Sequence, residues 1–272
     1  MKRFCFPLRM ILTIILFKIM SPLVTVCIID FQNQRKKIMR NHMNSQNRKY
    51  FDNLPFSFQF IKTLPPPSCQ PPRPSVLPKK TRSSPPITLV LDLDETLVHC
   101  NTQAVESADV SFPVMFNGSL YTVSGNLRPH CLAFLKECSE LFEVVLFTAS
   151  QKIYADQLAN IIDPQKTFFK YRLFRDSCTF VHGNYIKDLR VLGRDLSKTI
   201  IVDNSPQAFG YQLSNGIPIK SWYEDLNDTE LMKVLDFLKS LNVEHIPDVR
   251  PLIKKTFNLE AQIFGANEER LN

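Results

Sequence analysis

Glycine is scarce, with seven residues in 272, which excludes collagen-like and glycine-rich repeat architectures. No two cysteines form a C-x-x-C pair. All seven stand apart, at positions 5, 27, 69, 100, 131, 138 and 178. An odd count at those spacings argues against a disulfide framework or an ordinary zinc site, and for reduced thiols. Acids are nearly missing from the front third. Residues 1–86 hold two, Asp30 and Asp52, against 15 Lys and Arg, whereas residues 87–272 hold 24 acids against 18 bases. The formal net charge of +7 therefore combines a basic front with an acidic remainder. Apolar residues at 44% and charged residues at 22% are close to globular averages, so wholesale disorder is excluded.

Proline divides the chain at the same place. Twelve of 19 precede residue 87, and nine of those lie between Pro65 and Pro86. Proline fixes φ and removes backbone donors, so residues 64–86 read as an extended linker. The expected organisation is a basic, proline-rich extension over 1–86, a folded domain over 87–255 and a tail over 256–272. Residues 11–29 are apolar except for Thr13, Lys18, Ser21, Pro22 and Thr25. That length just spans a bilayer. The apolar side chains contribute roughly −5 kcal/mol, and the central Lys18 takes back about 3 kcal/mol. The segment is a candidate membrane span, with a solvated extension as the competing reading. As a span it would put the following residues in the cytoplasm, because Arg35, Lys36, Lys37 and Arg40 make its second flank the more positive. The basic stretch over 35–49 has no interleaved aromatics and no zinc-finger or helix-turn-helix pattern, so no direct nucleic-acid binding is expected.

Beyond Pro86 the pattern changes. Ile87 to Leu91, Glu143 to Phe147 and Thr199 to Val202 are short, β-branched or apolar runs without alternation. Such runs suit strands buried on both faces, as in a parallel sheet. Helical spacing lies between and after them. Leu132, Phe134 and Leu135 follow Pro129, and Tyr154, Leu158, Ile161 and Ile162 run up to Asp163-Pro164. Leu231, Val234, Leu235, Leu238 and Leu241 follow a capping-box pattern at Asn227 and Glu230. The alternation is that of a doubly wound α/β sheet. Between residues 101 and 127, Val110, Phe112, Val114 and Phe116 alternate up to Asn117-Gly118, a hairpin signal that predicts a small inserted β-flap.

Polar residues end all three buried runs, and ligands bind at that edge of open α/β sheets. Asp92 and Asp94 stand at i and i+2, so both carboxylates point to one side. Two such groups need a cation or a shared proton, and an oxygen-only set favours magnesium. A carboxylate nucleophile that forms an acyl phosphate is one use of such a site. Thr148 in Phe147-Thr148-Ala149-Ser150 could face an anion beside helix amides. Lys187 and the pair Asp203-Asn204 could add a cation and metal oxygens. Taken singly, each signal has an ordinary explanation in turns, caps or solvated charge. Their order and spacing are far more specific.

In that order, Asp92-Leu-Asp94-Glu-Thr96-Leu-Val, Phe147-Thr148-Ala-Ser, Asn184-Tyr-Ile-Lys187-Asp-Leu and Val202-Asp203-Asn204-Ser-Pro resemble the motifs of the small C-terminal-domain (CTD) phosphatases of the haloacid dehalogenase (HAD) superfamily. The resemblance runs from about Thr88 to Leu252. It implies a HAD-like sheet with a flap and a magnesium-dependent protein serine/threonine phosphatase. Asp92 would be the nucleophile and Asp94 the acid and base. Thr148 and Lys187 would hold the phosphoryl group. Asp92, Asp94, Asp203 and Asn204 would form the metal set. Tyr154 and Arg175 match substrate-contacting positions, and Phe112 and Val114 match the region that recognises the peptide. The implied partner is a phosphoserine or phosphothreonine protein, with the RNA polymerase II tail suggested by the family name. The implied location is nuclear or cytoplasmic. Two alternatives share the basic front: a membrane-anchored Dullard-like phosphatase, and a non-catalytic mitochondrial import subunit. The latter lacks the acidic pair that this chain keeps.

Overall fold

Each of the three buried runs becomes a central strand, and their lack of polar alternation explains why both faces of the sheet must be covered. The computed structural model describes residues 55–67, 73–102, 107–241 and 243–265. The candidate span over 11–29 lies outside them. No helix among the described residues is long and apolar enough to cross a membrane.

Strands β1 (Thr88–Leu91), β5 (Glu143–Phe147), β6 (Tyr171–Leu173), β9 (Thr199–Asp203) and β10 (Gly216–Pro218) form one parallel sheet in the order β10-β9-β1-β5-β6. Leu89, Leu91, Val144, Leu146, Ile200 and Val202 point into one core. Val90, Val145, Phe147 and Ile201 point into the other. The first face is covered by α2 (Cys131–Leu141), α3 (Lys152–Ile162) and α4 (Glu230–Lys239), through Phe134, Leu135, Leu158, Ile162, Leu231 and Leu235.

The second face is covered in part by residues from outside 87–255. Helix α1 (Phe56–Thr63) puts Ile61 there, and Leu77 joins it from the proline-rich segment. Helix α5 (Arg250–Phe257) is followed by α6 (Leu259–Phe264), whose Leu259 and Ile263 are also buried on this face. The described residues within 55–180 and 185–265 accordingly form one compact unit. Leu77 of the expected linker and Leu259 and Ile263 of the expected tail are packed on this face. Val76 N–H donates to Val191 O at 2.8 Å, and the Arg73 guanidinium reaches Ser177 O and Cys178 O. The physical reason is that Val90, Val145, Phe147 and Ile201 need cover, which α1 and α6 supply.

The flap is larger than a hairpin. Strands β3 (Val110–Phe116) and β4 (Ser119–Leu127) pair around Asn117-Gly118, both at positive φ, and β2 (Val98–Asn101) adds to the far side of β4. Pro113 sits on the edge strand β3, where a missing N–H is tolerated. Strands β7 (Thr179–Val181) and β8 (Asn184–Ile186) form a separate two-stranded pair. The cap of α4 also differs from the expectation. Asp228, not Asn227, accepts from Glu230 N–H at 3.1 Å. The same carboxylate is fixed by the buried Arg128 at 2.7 and 2.8 Å.

Candidate active site

The parallel register carries β1 and β9 side by side up to Leu91 and Val202, and Asp92 N–H continues the ladder to Val202 O at 3.0 Å. Asp92 and Asp203 therefore leave neighbouring strands at the same level. Both are buried, and the fully buried Lys187 ammonium lies between them. It donates to Asp92 Oδ1 and, at 2.7 Å, to Asp203 Oδ2. Thr96 Oγ1 donates to Asp92 Oδ2 at 3.0 Å, and Ser205 N–H donates to Asp203 Oδ1 at 2.7 Å. Burial alone would lower the Lys187 pKa, but the Asp203 and Asp92 charges outweigh it and hold the ammonium above its ordinary range. Burial, with the like charge of Asp92, pushes Asp203 upward.

Asp94 lies two residues on and faces a different set of partners. Tyr154 OH donates to its Oδ1 at 2.7 Å. Ser150 Oγ and Thr148 Oγ1 donate to its Oδ2 at 2.6 and 3.3 Å. Burial, then the charges of Glu95 and Asp92, raise this carboxyl to about 6, and the Ser150 and Tyr154 hydrogen bonds oppose the rise. Hydroxyl groups can turn from donor to acceptor, so this shell accommodates Asp94 with or without its proton. The strand-to-loop turn is tight. Glu95 adopts a left-handed φ of 57°, and its N–H donates to Val98 O at 2.8 Å.

The sheet thus brings Asp92, Asp94, Thr148, Lys187 and Asp203 together at the carboxyl ends of β1, β5 and β9. Tyr154 and Arg175 join them: Arg175 Nε donates to Ala149 O at 2.7 Å, in the Thr148 loop. Phe112 and Val114 lie on the inner face of β3. They are 7% and 5% exposed and turn into the core, with Phe112 stacked on Tyr154 at 6.0 Å between centroids. The period-two alternation of β3 puts Met115 on the open face instead, opposite the exposed Leu120 of β4.

The residues expected as the metal set have protein partners. Among the described residues no three His, Cys, Asp or Glu side chains form a metal-binding group. Asp92 and Asp203 share Lys187, the Asp94 carboxylate is committed to three hydroxyls, and Asn204 Nδ2 donates to Ser221 Oγ at 2.9 Å. The donor chemistry still fits a hard divalent cation. Two carboxyl groups face one ammonium, and the oxygens of Asp92 and Asp203 are of the type that magnesium prefers.

Residues 87–250 match the NLI interacting factor-like phosphatase family. The chain belongs to that family. This phosphatase-family chain is 54% identical over 202 residues to "CTD small phosphatase-like protein 2" of Dictyostelium discoideum, covering 74% of this chain and 35% of that one. It is 51% identical over 191 residues to "CTD small phosphatase-like protein 3" of Caenorhabditis elegans, covering 69% and 65%. It is 43% identical over 176 residues to the human "Carboxy-terminal domain RNA polymerase II polypeptide A small phosphatase 1", covering 65% and 66%. The chain therefore spans about a third of the first relative and just under two thirds of the other two.

Cysteine chemistry does not compete with the carboxylates here. Cys100, Cys131, Cys138 and Cys178 are all buried. Burial pushes their thiols up, to about 12 at Cys100, Cys131 and Cys178, so none is a thiolate near neutral pH. Sequence reasoning missed Ser150 and Thr96 as partners of the acidic pair. The signal for Ser150 was present: it stands at i+2 from Thr148 beyond a buried strand, the same relation as Asp92 to Asp94.

Proposed function

We propose that this chain is a magnesium-dependent phosphatase of phosphoserine and phosphothreonine proteins, acting through a phosphorylated Asp92. The observation that carries the reading is the Asp92–Lys187–Asp203 cluster beside an Asp94 held separately by Tyr154, Ser150 and Thr148. The two neighbouring carboxyl groups have environments that assign them different work. Asp92, paired with Lys187, is the ionised group and attacks phosphorus. Asp94, with its raised pKa, holds a proton for the leaving serine oxygen. As the Asp92–phosphorus bond forms, the bond from phosphorus to the serine oxygen breaks and the Asp94 proton moves to that oxygen. Asp94 then takes a proton from water, which attacks the acyl phosphate and releases Asp92 and inorganic phosphate. Thr148 Oγ1 and the Lys187 ammonium would hold phosphoryl oxygens while charge spreads over them. Asp92 and Asp203, with the Asn204 side-chain oxygen, would hold magnesium, which when bound neutralises phosphoryl charge.

The names of the relatives support a protein substrate, and the tail of RNA polymerase II is the first phosphoprotein to try. The decisive assay measures phosphate released from phosphoserine peptides with magnesium present. Wild-type turnover, its loss with EDTA, and its loss in a folded Asp92→Asn variant are expected. A wild type inert toward every phosphopeptide and toward para-nitrophenyl phosphate would overturn the proposal.

A further inference from the structure

Arg175 opens the short turn Arg175–Ser177 that follows β6. Its backbone N–H donates to Ser150 O at 3.0 Å and its Nε donates to Ala149 O at 2.7 Å. Both bonds tie it to the loop that carries Thr148 and Ser150. Its guanidinium carbon stands 4.8 Å from the centroid of the Tyr185 ring. That ring leans in turn on Phe180, with centroids 5.0 Å apart and planes at 50°. Tyr185 belongs to β8, two residues before Lys187. The Arg175–Tyr185 stack therefore joins the loop of one expected phosphoryl-holding residue to the strand that leads to the other.

The division of labour within Arg175 is informative. A single hydrogen bond through Nε fixes one edge of a guanidinium and leaves its plane free to rock. An aromatic face beneath the plane removes that freedom, because cation and ring attract and the two planar groups stack. Among the described residues neither Nη group has a protein acceptor. The chain thus fixes the orientation of Arg175 and leaves its outer donors unspent.

We infer that Tyr185 is a positioning residue for substrate. It holds the Arg175 plane so that the Nη groups meet an acceptor oxygen of the phosphopeptide, and Phe180 backs the Tyr185 ring. This inference rests on the phosphatase reading above. The contact is with the bound peptide and precedes the chemical step, so its loss weakens substrate capture more than it slows turnover.

The test is steady-state kinetics of the full 272-residue chain on a phosphoserine peptide with magnesium. Tyr185→Leu is expected to raise KM about fivefold to tenfold, the size of a partly desolvated cation–π contact, with kcat changed less than about twofold. Tyr185→Phe, which keeps the ring, should restore KM. Arg175→Lys should raise KM by a similar factor, and adding Tyr185→Leu to it should change KM little further, since both act through one contact. Tyr185→Gln takes the place of Tyr185→Leu if the latter shows no cooperative melting transition. An unchanged KM with normal wild-type turnover, or losses that multiply independently in the double variant, would overturn this inference alone. Absence of wild-type turnover would overturn the phosphatase reading and this inference with it.

Discussion

Tyr154 OH donates to Asp94 Oδ1 at 2.7 Å, and burial, with the Asp94 charge, holds the phenol well above its usual pKa. Tyr154 is thus a neutral donor at every working pH, aimed at the carboxyl proposed as acid and base. The family resemblance assigns this position to substrate contact, whereas its hydrogen bond assigns it to Asp94. Tyr154→Phe separates the two roles. Loss of one such bond is worth about 0.5–1.5 kcal/mol, so kcat should fall roughly twofold to tenfold with KM nearly constant. A rise in KM at constant kcat would return Tyr154 to the substrate side.

How much of this was legible beforehand follows from the kind of signal each element leaves. The strands β1, β5 and β9 are buried on both faces and apolar between their ends, so runs such as Leu89-Val90-Leu91 announce themselves. The same runs end in Asp92, Thr148 and Asp203, which made the site legible as three strand ends. Strands β6 and β10 have three residues each, too few to show a period. The inward turn of Phe112 and Val114 was visible as alternation, but alternation does not say which face meets a ligand. The burial of Ile61, Leu259 and Ile263 was hidden because composition describes a segment and not the face it must cover. The partition of the acidic residues was hidden as well. Spacing puts Asp92 and Asp94 on one side, but only the folded loops decide that Lys187 takes one and that Tyr154 and Ser150 take the other.

The count of charges around Lys187 predicts opposite effects for its two kinds of variant. Asp92 and Asp203 outnumber one ammonium, so Asp92→Asn removes a surplus negative charge and leaves Lys187 paired with Asp203. The melting temperature should hold or rise while turnover vanishes. Lys187→Met leaves Asp92 and Asp203 buried without their cation, a loss of about 3–5 kcal/mol. Thermal melts of the two purified variants make the comparison, and a large drop for Asp92→Asn would contradict this account of the cluster.

The same surplus predicts stabilisation by magnesium that needs no substrate. At a concentration about a hundred times its dissociation constant, a ligand bound only by the folded state adds about 2.7 kcal/mol. For a chain of this size that is a rise in melting temperature of roughly 5–10 °C. EDTA should reverse it, and Asp203→Asn should largely abolish it. A rise of equal size in Asp203→Asn would place the metal elsewhere.

At the opposite end of the sheet, Glu143 supplies a pH-dependent part of the stability. It is the first residue of β5, is buried, and stands across from Thr88 in the register. Arg194 donates to its two oxygens at 2.8 and 3.0 Å, and Thr88 Oγ1 donates at 2.7 Å. Burial would raise the carboxyl, but these hydrogen bonds and the Lys80 charge outweigh it and hold the group below its ordinary range. A carboxyl with a lowered folded-state pKa binds protons more weakly in the folded chain than in the unfolded one. Its contribution is therefore complete above the unfolded value of about 4.3 and drains away as pH falls through the lower folded value. Glu143→Gln leaves the Arg194 charge, whose side chain is 3% exposed, without its counterion at pH 7. The variant should melt well below the wild type there, and the gap should narrow as pH falls below about 4. A gap that stayed constant from pH 7 to pH 3 would mean that the hydrogen bonds alone, and not the charge on Glu143, hold β5 to Arg194.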